Sequence, residues 1–132
     1  MVGEASLTLR QRFQSHQSVR WLGQVSRSVV MDHCRECDVL VFPSLSDGFG
    51  MAQVEAQGWQ LPVIASRFCG QVVRDGINGI LLPEVTPAAI AAALRRVAAR
   101  PELLSQFSIN AGRSGQSGLS GLASDLLGLE PA

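Results

Sequence analysis

The sequence has no lysine, no tyrosine, no surplus of either charge, only three cysteines and no long apolar run. Eleven arginines balance eleven acidic residues, so the net charge is zero. A chain without a basic surplus is not built to neutralise a row of phosphates, which excludes nucleic acid as the main partner. A membrane-spanning helix needs about 20 apolar residues in succession, and no such stretch is found. The N-terminal Met1–Arg10 segment lacks the apolar core of a secretory signal. Cys34, Cys37 and Cys69 cannot all pair with one another, and nothing else marks secretion. The expectation is a reduced, cytoplasmic protein. The missing lysine and tyrosine are read as codon usage and carry no physical argument.

What is present describes a globular chain. A length of 132 residues suits one domain. Such a chain buries about two-thirds of its unfolded surface, and needs neither disulfides nor a metal to do so. With 46% hydrophobic and 17% charged residues, a disordered chain is excluded.

Residues 1–18 read as a lead-in helix, loosely amphipathic through Leu7, Leu9 and Phe13, or as the remnant of a preceding βα unit. Val19–Leu22 reads as a short strand closed by Gly23. Ser26 is an N-cap for a helix over 27–36, with Val29, Val30 and His33 at helical spacing. Val39–Phe42 is a continuous apolar run ending at Pro43, as suits a strand buried on both faces. A Gly-rich stretch, Ser44–Gly50, leads into a helix over 51–57 that ends near Gly58. Pro62–Ala65 and Ile80–Leu82 are two more buried strands, separated by the turn dipeptides Asp75-Gly76 and Asn78-Gly79. Thr86 caps, and Pro87 opens, an Ala-rich helix to about Ala99. Pro101 opens one more, to about Asn110. The boundaries follow as a domain over 19–111, then a Gly/Ser-rich linker and short C-terminal helix over 112–132. Short apolar strands alternating with helices define an α/β class: a Rossmann-like parallel sheet with helices on both faces.

Strand, Gly-rich loop and helix in succession is the layout of an anion site. Gly48 and Gly50 let the backbone approach a ligand closely. The helix behind them offers free N–H groups and the positive end of its dipole. Two carboxylates flank the point, Asp47 before the helix and Glu55 eight residues later. Eight residues is a little over two helical turns, which returns Glu55 to roughly the face on which the helix began. Carboxylates repel phosphate but accept hydrogen bonds from sugar hydroxyls. The pattern therefore suits a diphosphate with polyhydroxylated groups on either side. The same spacing also fits a plainer reading: Asp47 as only an N-cap, Ser46-Asp47-Gly48 as only a turn, and Glu55 as a solvated helix residue.

The run Phe42-Pro-Ser-Leu-Ser-Asp-Gly-Phe-Gly-Met-Ala-Gln-Val-Glu-Ala56 resembles the signature of glycosyltransferase family 4, the large retaining group with the GT-B fold. The resemblance continues through Gly58–Ser66 and through Val73-Arg-Asp-Gly-Ile-Asn-Gly-Ile-Leu-Leu-Pro83. Upstream, Val19–Gly23 and Cys37–Phe42 resemble further elements of the family, so that the likeness covers residues 19 to 108 in the right order. It implies the C-terminal, donor-binding half of a GT-B enzyme, with the first strands of that half missing. That half binds a nucleotide-diphosphate sugar. The parent enzyme moves a hexosyl group to a hydroxyl acceptor. By the same resemblance Glu55 binds the ribose, Asp47 contacts the transferred sugar as the one candidate catalytic residue, and the backbone of Gly48, Phe49, Gly50 and Met51 approaches sugar and diphosphate. Asp47 stands where the family has Glu, one methylene shorter, so a water is expected to bridge it to the sugar. The family needs no bound metal and no cofactor beyond the donor, and the chain has no Asp-x-Asp pair. The family's donor-phosphate Arg and Lys precede this region, and Arg10, Arg12 and Arg20 do not sit in that motif. With an N-terminal acceptor-binding domain missing, an isolated fragment is expected to be inactive. The alternative is a non-catalytic interaction module, or a split subunit completed by a separate acceptor-binding protein. A sugar-nucleotide epimerase shares the architecture, but the acid–base residues it needs are not seen.

Four other features are read as structural. Cys34-Arg-Glu-Cys37 has the spacing of a redox pair or half a zinc site, but no second pair follows, and Cys37 is expected as a buried small hydrophobe. His16 and His33 have no acid partner evident in sequence and receive no role. Arg95, Arg96 and Arg100 make a solvated helix face, with peripheral membrane association of the parent enzyme as the competing reading. Trp21 and Trp59 are expected as core or domain-interface anchors.

Overall fold

The structure, a computed structural model, describes residues 1–113; the linker and last helix expected beyond that point lie outside the described residues. The chain divides into two compact units, Met1–Glu36 and the part from Cys37 onward.

The first unit holds α1 (Leu7–Phe13) and α2 (Arg27–Glu36). The Ser6 hydroxyl caps α1 by accepting from the Leu9 N–H at 3.3 Å. The strand expected over 19–22 does not form. Its pairing shrinks to one parallel bridge between Val2 and Gly23, made by Leu22 N–H to the Met1 carbonyl and Gly3 N–H to the Gly23 carbonyl, both 2.8 Å. The reason is local. Gly3 and Gly23 have φ of 105° and 66°, outside the β region, so the ladder cannot extend past either one. The two histidines find structural neighbours here. His16 stacks tilted against Phe13, and His33 lies 3.9 Å from Glu36 one turn along α2.

The second unit is built on three parallel strands in the order β1 (Leu40–Phe42), β2 (Val63–Ser66), β3 (Gly79–Leu82). Between and after them come α3 (Met51–Gly58), α4 (Pro87–Ala99) and a further helix, α5, over 101–113. Each strand is near the expected place, within one residue at either end. Register pairs Val41 with Ile64, and Ile64 with Ile80. All four β2 residues are buried. Successive strand residues point to opposite sides, so both faces of the central strand are covered, as the unbroken apolar run demands. One face carries Ile64, Ile80 and Leu82, packed with Ala93 and Val97 of α4 and with Phe107 of α5. Each such large apolar side chain contributes about 1.5–3 kcal/mol on burial. Val63 and Ala65 point the other way and are fully buried, and α3 is the helix that touches β1 and β2. The Thr86 hydroxyl accepts from the Ala89 N–H at 3.2 Å, with Pro87 at the first helical position, so α4 starts as its sequence predicts.

Helix α3 closes with a Schellman motif. The Leu61 N–H reaches the Ala56 carbonyl and the Gln60 N–H reaches the Gln57 carbonyl, both at 2.9 Å. The left-handed residue this motif requires is Gln60, at φ 60°, and not the neighbouring Gly58.

Candidate functional site

The loop between β1 and α3 is held from below by the loop that follows β2. The Ser66 hydroxyl, at the end of β2, donates to the Ser44 carbonyl. The Asp47 N–H donates to the Phe68 carbonyl at 3.2 Å. Gly70 lies so close to Phe49 that a Cβ there would sit 2.5 Å from the Phe49 carbonyl oxygen, so only glycine fits. Residues 44–50 are therefore held by two hydrogen bonds and one close backbone approach, and irregular backbone becomes a defined surface.

At the end of this loop Gly50 adopts φ 67° and ψ 56° and serves as the N-cap of α3. A left-handed N-cap has no side chain to satisfy the first helical N–H groups, and none is capped by one here. The amides of Met51 and Ala52 lie ahead of the first i−4 bond, so they face outward at the positive end of the helix.

Asp47 is half-buried, and its Oδ1 accepts from the Gly50 N–H at 3.1 Å. The plainer reading of Asp47 is partly realised: the carboxylate braces the turn before the helix rather than the helix itself. Gly48 is exposed, with no atom within 4 Å of where a Cβ would stand. Phe49 and Met51 are exposed on either side of Gly50. Glu55 is half-buried. Because the helix begins only at Met51, the eight-residue spacing from Asp47 does not count helical turns. Glu55 lies one turn beyond Met51, opposite the buried face formed by Gln53, Ala56 and Gln57.

The residues missed in sequence are the ones beneath the site. Asn78 is fully buried and makes three bonds: its Oδ1 accepts from the Arg74 N–H at 2.7 Å, and its Nδ2 donates to Gln57 Oε1 at 3.1 Å and to the Val72 carbonyl at 3.2 Å. The turn over residues 74–79 is thereby tied to α3. The available signal was two glutamines, Gln53 and Gln57, one turn apart on a helix face that also carries Ala56. Polar residues on a core-facing stripe need buried partners.

One cysteine expectation is corrected, and the alternatives for the tryptophans are narrowed. Cys37 is exposed, not buried, because it falls in the segment ahead of β1 and not on the strand itself. Trp59 is exposed at the C-cap of α3, which excludes the core role but not the domain-interface role, while Trp21 is half-buried. Cys34, Cys37 and Cys69 are not joined in disulfides. Among the described residues no group of three or more His, Cys, Asp or Glu is placed to hold a metal ion, and no helix is long and apolar enough to cross a membrane.

Comparison with known proteins agrees with this architecture. The D-inositol 3-phosphate glycosyltransferase of Geodermatophilus obscurus is 43% identical over 89 residues, covering 66% of this chain and 20% of that protein. Its counterpart in Streptomyces griseus is 39% identical over 101 residues, covering 75% and 21%. The chain spans about a fifth of the length of these curated relatives. Among solved structures, sucrose-phosphate synthase from Thermosynechococcus elongatus superposes with a TM-score of 0.77 at 24% identity, covering 98% of this chain and 38% of that one. Anabaena Alr3699/HepE in complex with UDP gives 0.73 at 22% identity, covering 93% and 40%. These structural likenesses show the α/β Rossmann-like fold. The family described as Glycosyl transferases group 1 matches residues 1–100, and the chain belongs to it.

Proposed function

We propose that this chain binds the nucleotide-diphosphate-sugar donor of a retaining glycosyltransferase, and that the whole protein transfers a hexosyl group to a hydroxyl acceptor. The observation that carries the reading is Gly50, a left-handed N-cap that starts α3 without a side-chain cap. A helix so begun offers N–H donors and a positive dipole end to a diphosphate. In this reading the backbone of Gly48, Phe49, Gly50 and Met51 takes the diphosphate and the sugar. Asp47 meets the sugar hydroxyls, and Glu55 the ribose, since carboxylates accept hydrogen bonds from hydroxyls well. As the glycosidic bond breaks, negative charge grows on the leaving phosphate, and fixed amide donors stabilise it there. Support comes from the relatives' names as glycosyltransferases and from Anabaena HepE, which was crystallised with UDP and with UDP-glucose. UDP is therefore the first nucleotide to try.

A calorimetric titration of the chain with UDP, GDP and ADP tests the reading, with Gly48→Ala beside the wild type. Saturable binding of one nucleotide, weakened in Gly48→Ala, is the expected result. No heat with any of the three up to millimolar ligand overturns it for this chain.

One observation favours a second reading. Leu45, Phe49, Met51 and Phe68 expose between 50% and 72% of their surface around the same loop. Exposed apolar residues grouped at a site mark a surface that another polypeptide covers. An acceptor-binding half, in the same protein or a separate one, would do so, and the chain would then serve as its interaction partner.

A further inference from the structure

Gln53 is fully buried, and neither its Oε1 nor its Nε2 has a hydrogen-bond partner. A buried amide left in this state costs free energy that an apolar side chain of similar shape would not. Its position is specific. Gln53 is the third residue of α3, and its amide lies directly against Gly50, with Nε2 2.4 Å from where a Cβ on Gly50 would stand. A glutamine three residues after the N-cap is the reaching-back member of a capping box: its side-chain oxygen ordinarily accepts from the N-cap N–H. Here that N–H is already taken by Asp47 Oδ1 at 3.1 Å. The atom that faces Gly50 is the amide nitrogen of Gln53, a donor, so Asp47 is the acceptor this N–H uses and the Gln53 oxygen is not engaged.

We propose that Gln53 is the reserve acceptor for the Gly50 N–H, and that it takes over the bond when the Asp47 carboxylate turns to the donor's sugar. This rests on the reading of Asp47 as the sugar contact. Rotation about the last side-chain bond of Gln53 exchanges its nitrogen and oxygen, which brings Oε1 to the place Nε2 now holds. The exchange gives the orphaned Gln53 oxygen a donor and keeps the buried Gly50 N–H paired while Asp47 is released. A sugar that drew the whole carboxylate away would otherwise leave the Gly50 N–H without a partner. Gln53 then acts as a positioning residue, selective for a ligand that carries a sugar over the bare nucleotide.

Two measurements on the full chain decide this. The first is a thermal-unfolding cycle of wild type, Asp47→Ala, Gln53→Leu and the double variant, with Gln53→Met replacing Gln53→Leu if the latter does not fold. Asp47→Ala alone lowers Tm by less than about 2 °C, because Gln53 takes up the N–H; in the Gln53→Leu background it lowers Tm by about 4–8 °C, as expected when a buried donor loses every partner. Equal losses in the two backgrounds overturn the exchange. The second compares UDP-glucose with UDP. Gln53→Leu weakens UDP-glucose about tenfold more than UDP; equal weakening of both overturns the link to the sugar. If the wild type binds neither, the donor-binding reading fails, and the thermal cycle still decides whether Gln53 and Asp47 share the Gly50 amide.

Discussion

Asn78 and Gln57 meet in a buried hydrogen bond of 3.1 Å that ties the turn before β3 to the helix that starts at the candidate site. The bond spans 21 residues of sequence. Through it the orientation of α3 depends on the Asp75–Gly79 turn, although that turn carries no candidate ligand group.

Removing the amide should therefore cost more than a surface turn would suggest. Asn78→Ala leaves the Arg74 N–H, Gln57 Oε1 and the Val72 carbonyl without this partner. The expected loss is about 3 kcal/mol, from unsatisfied buried groups worth about 1–3 kcal/mol each, less relaxation. Urea unfolding measures it. A loss within about 0.5 kcal/mol, the range of an ordinary surface substitution, contradicts the account.

Gln60 supplies the opposite case. Its φ of 60° is the left-handed conformation that the Schellman motif requires and that an L side chain adopts only at a cost. Gln60→Gly is expected to raise stability by about 1 kcal/mol, the usual strain of a non-glycine residue there. The side chain does lie over Gly112, where a Cβ would come within 3.1 Å of its amide. A drop in the urea midpoint would mean that this packing outweighs the strain.

Gly48 and Gly79 separate fold from function. A Cβ on Gly79 would lie 2.1 Å from the Val63 carbonyl oxygen, inside the β2–β3 pairing. Gly79→Ala is expected to abolish cooperative unfolding, or lower stability by 3 kcal/mol or more, on the order of a severe core defect. A Cβ on Gly48 meets nothing within 4 Å. Gly48→Ala should leave stability within about 0.5 kcal/mol and act only on ligand approach. Circular dichroism melts of both variants check the pair.

The thiols should label in order of exposure. Cys37 is exposed and Cys69 buried beneath Gly50. Reaction with a thiol reagent in native buffer is expected to modify Cys37 in the fast phase and to spare Cys69 until the chain unfolds. Fast labelling of Cys69 would show that the loop over it opens readily.

Much of this was legible in the residues, for identifiable reasons. The strands at 40–42, 63–66 and 79–82 were visible as short apolar runs, but the expected burial on both faces holds only for β2: β1 is half-buried throughout and Leu81 of β3 is exposed. Thr86-Pro87 marked the start of α4 because a cap and a proline at the first position have almost no other use. The strand over 19–22 was not realised, since apolar residues indicate a willing strand but not the left-handed glycines that end its pairing. Cys37 was misplaced because a one- or two-residue boundary decides whether a side chain is inside a strand or ahead of it. In the candidate site, Asp47, Gly50 and Glu55 could be named from their pattern. Gln53, Gln57 and Asn78 could not, because their meaning lies in contacts between segments that spacing does not encode.

The most direct test of the central claim is an amide-NMR titration with UDP, GDP and ADP, observing Gly48, Phe49, Gly50 and Glu55 in the wild type and in Glu55→Ala. The account predicts saturable shifts at those four amides with one nucleotide, greatly reduced in Glu55→Ala. Shifts that map elsewhere, or that persist unchanged in Glu55→Ala, would contradict it.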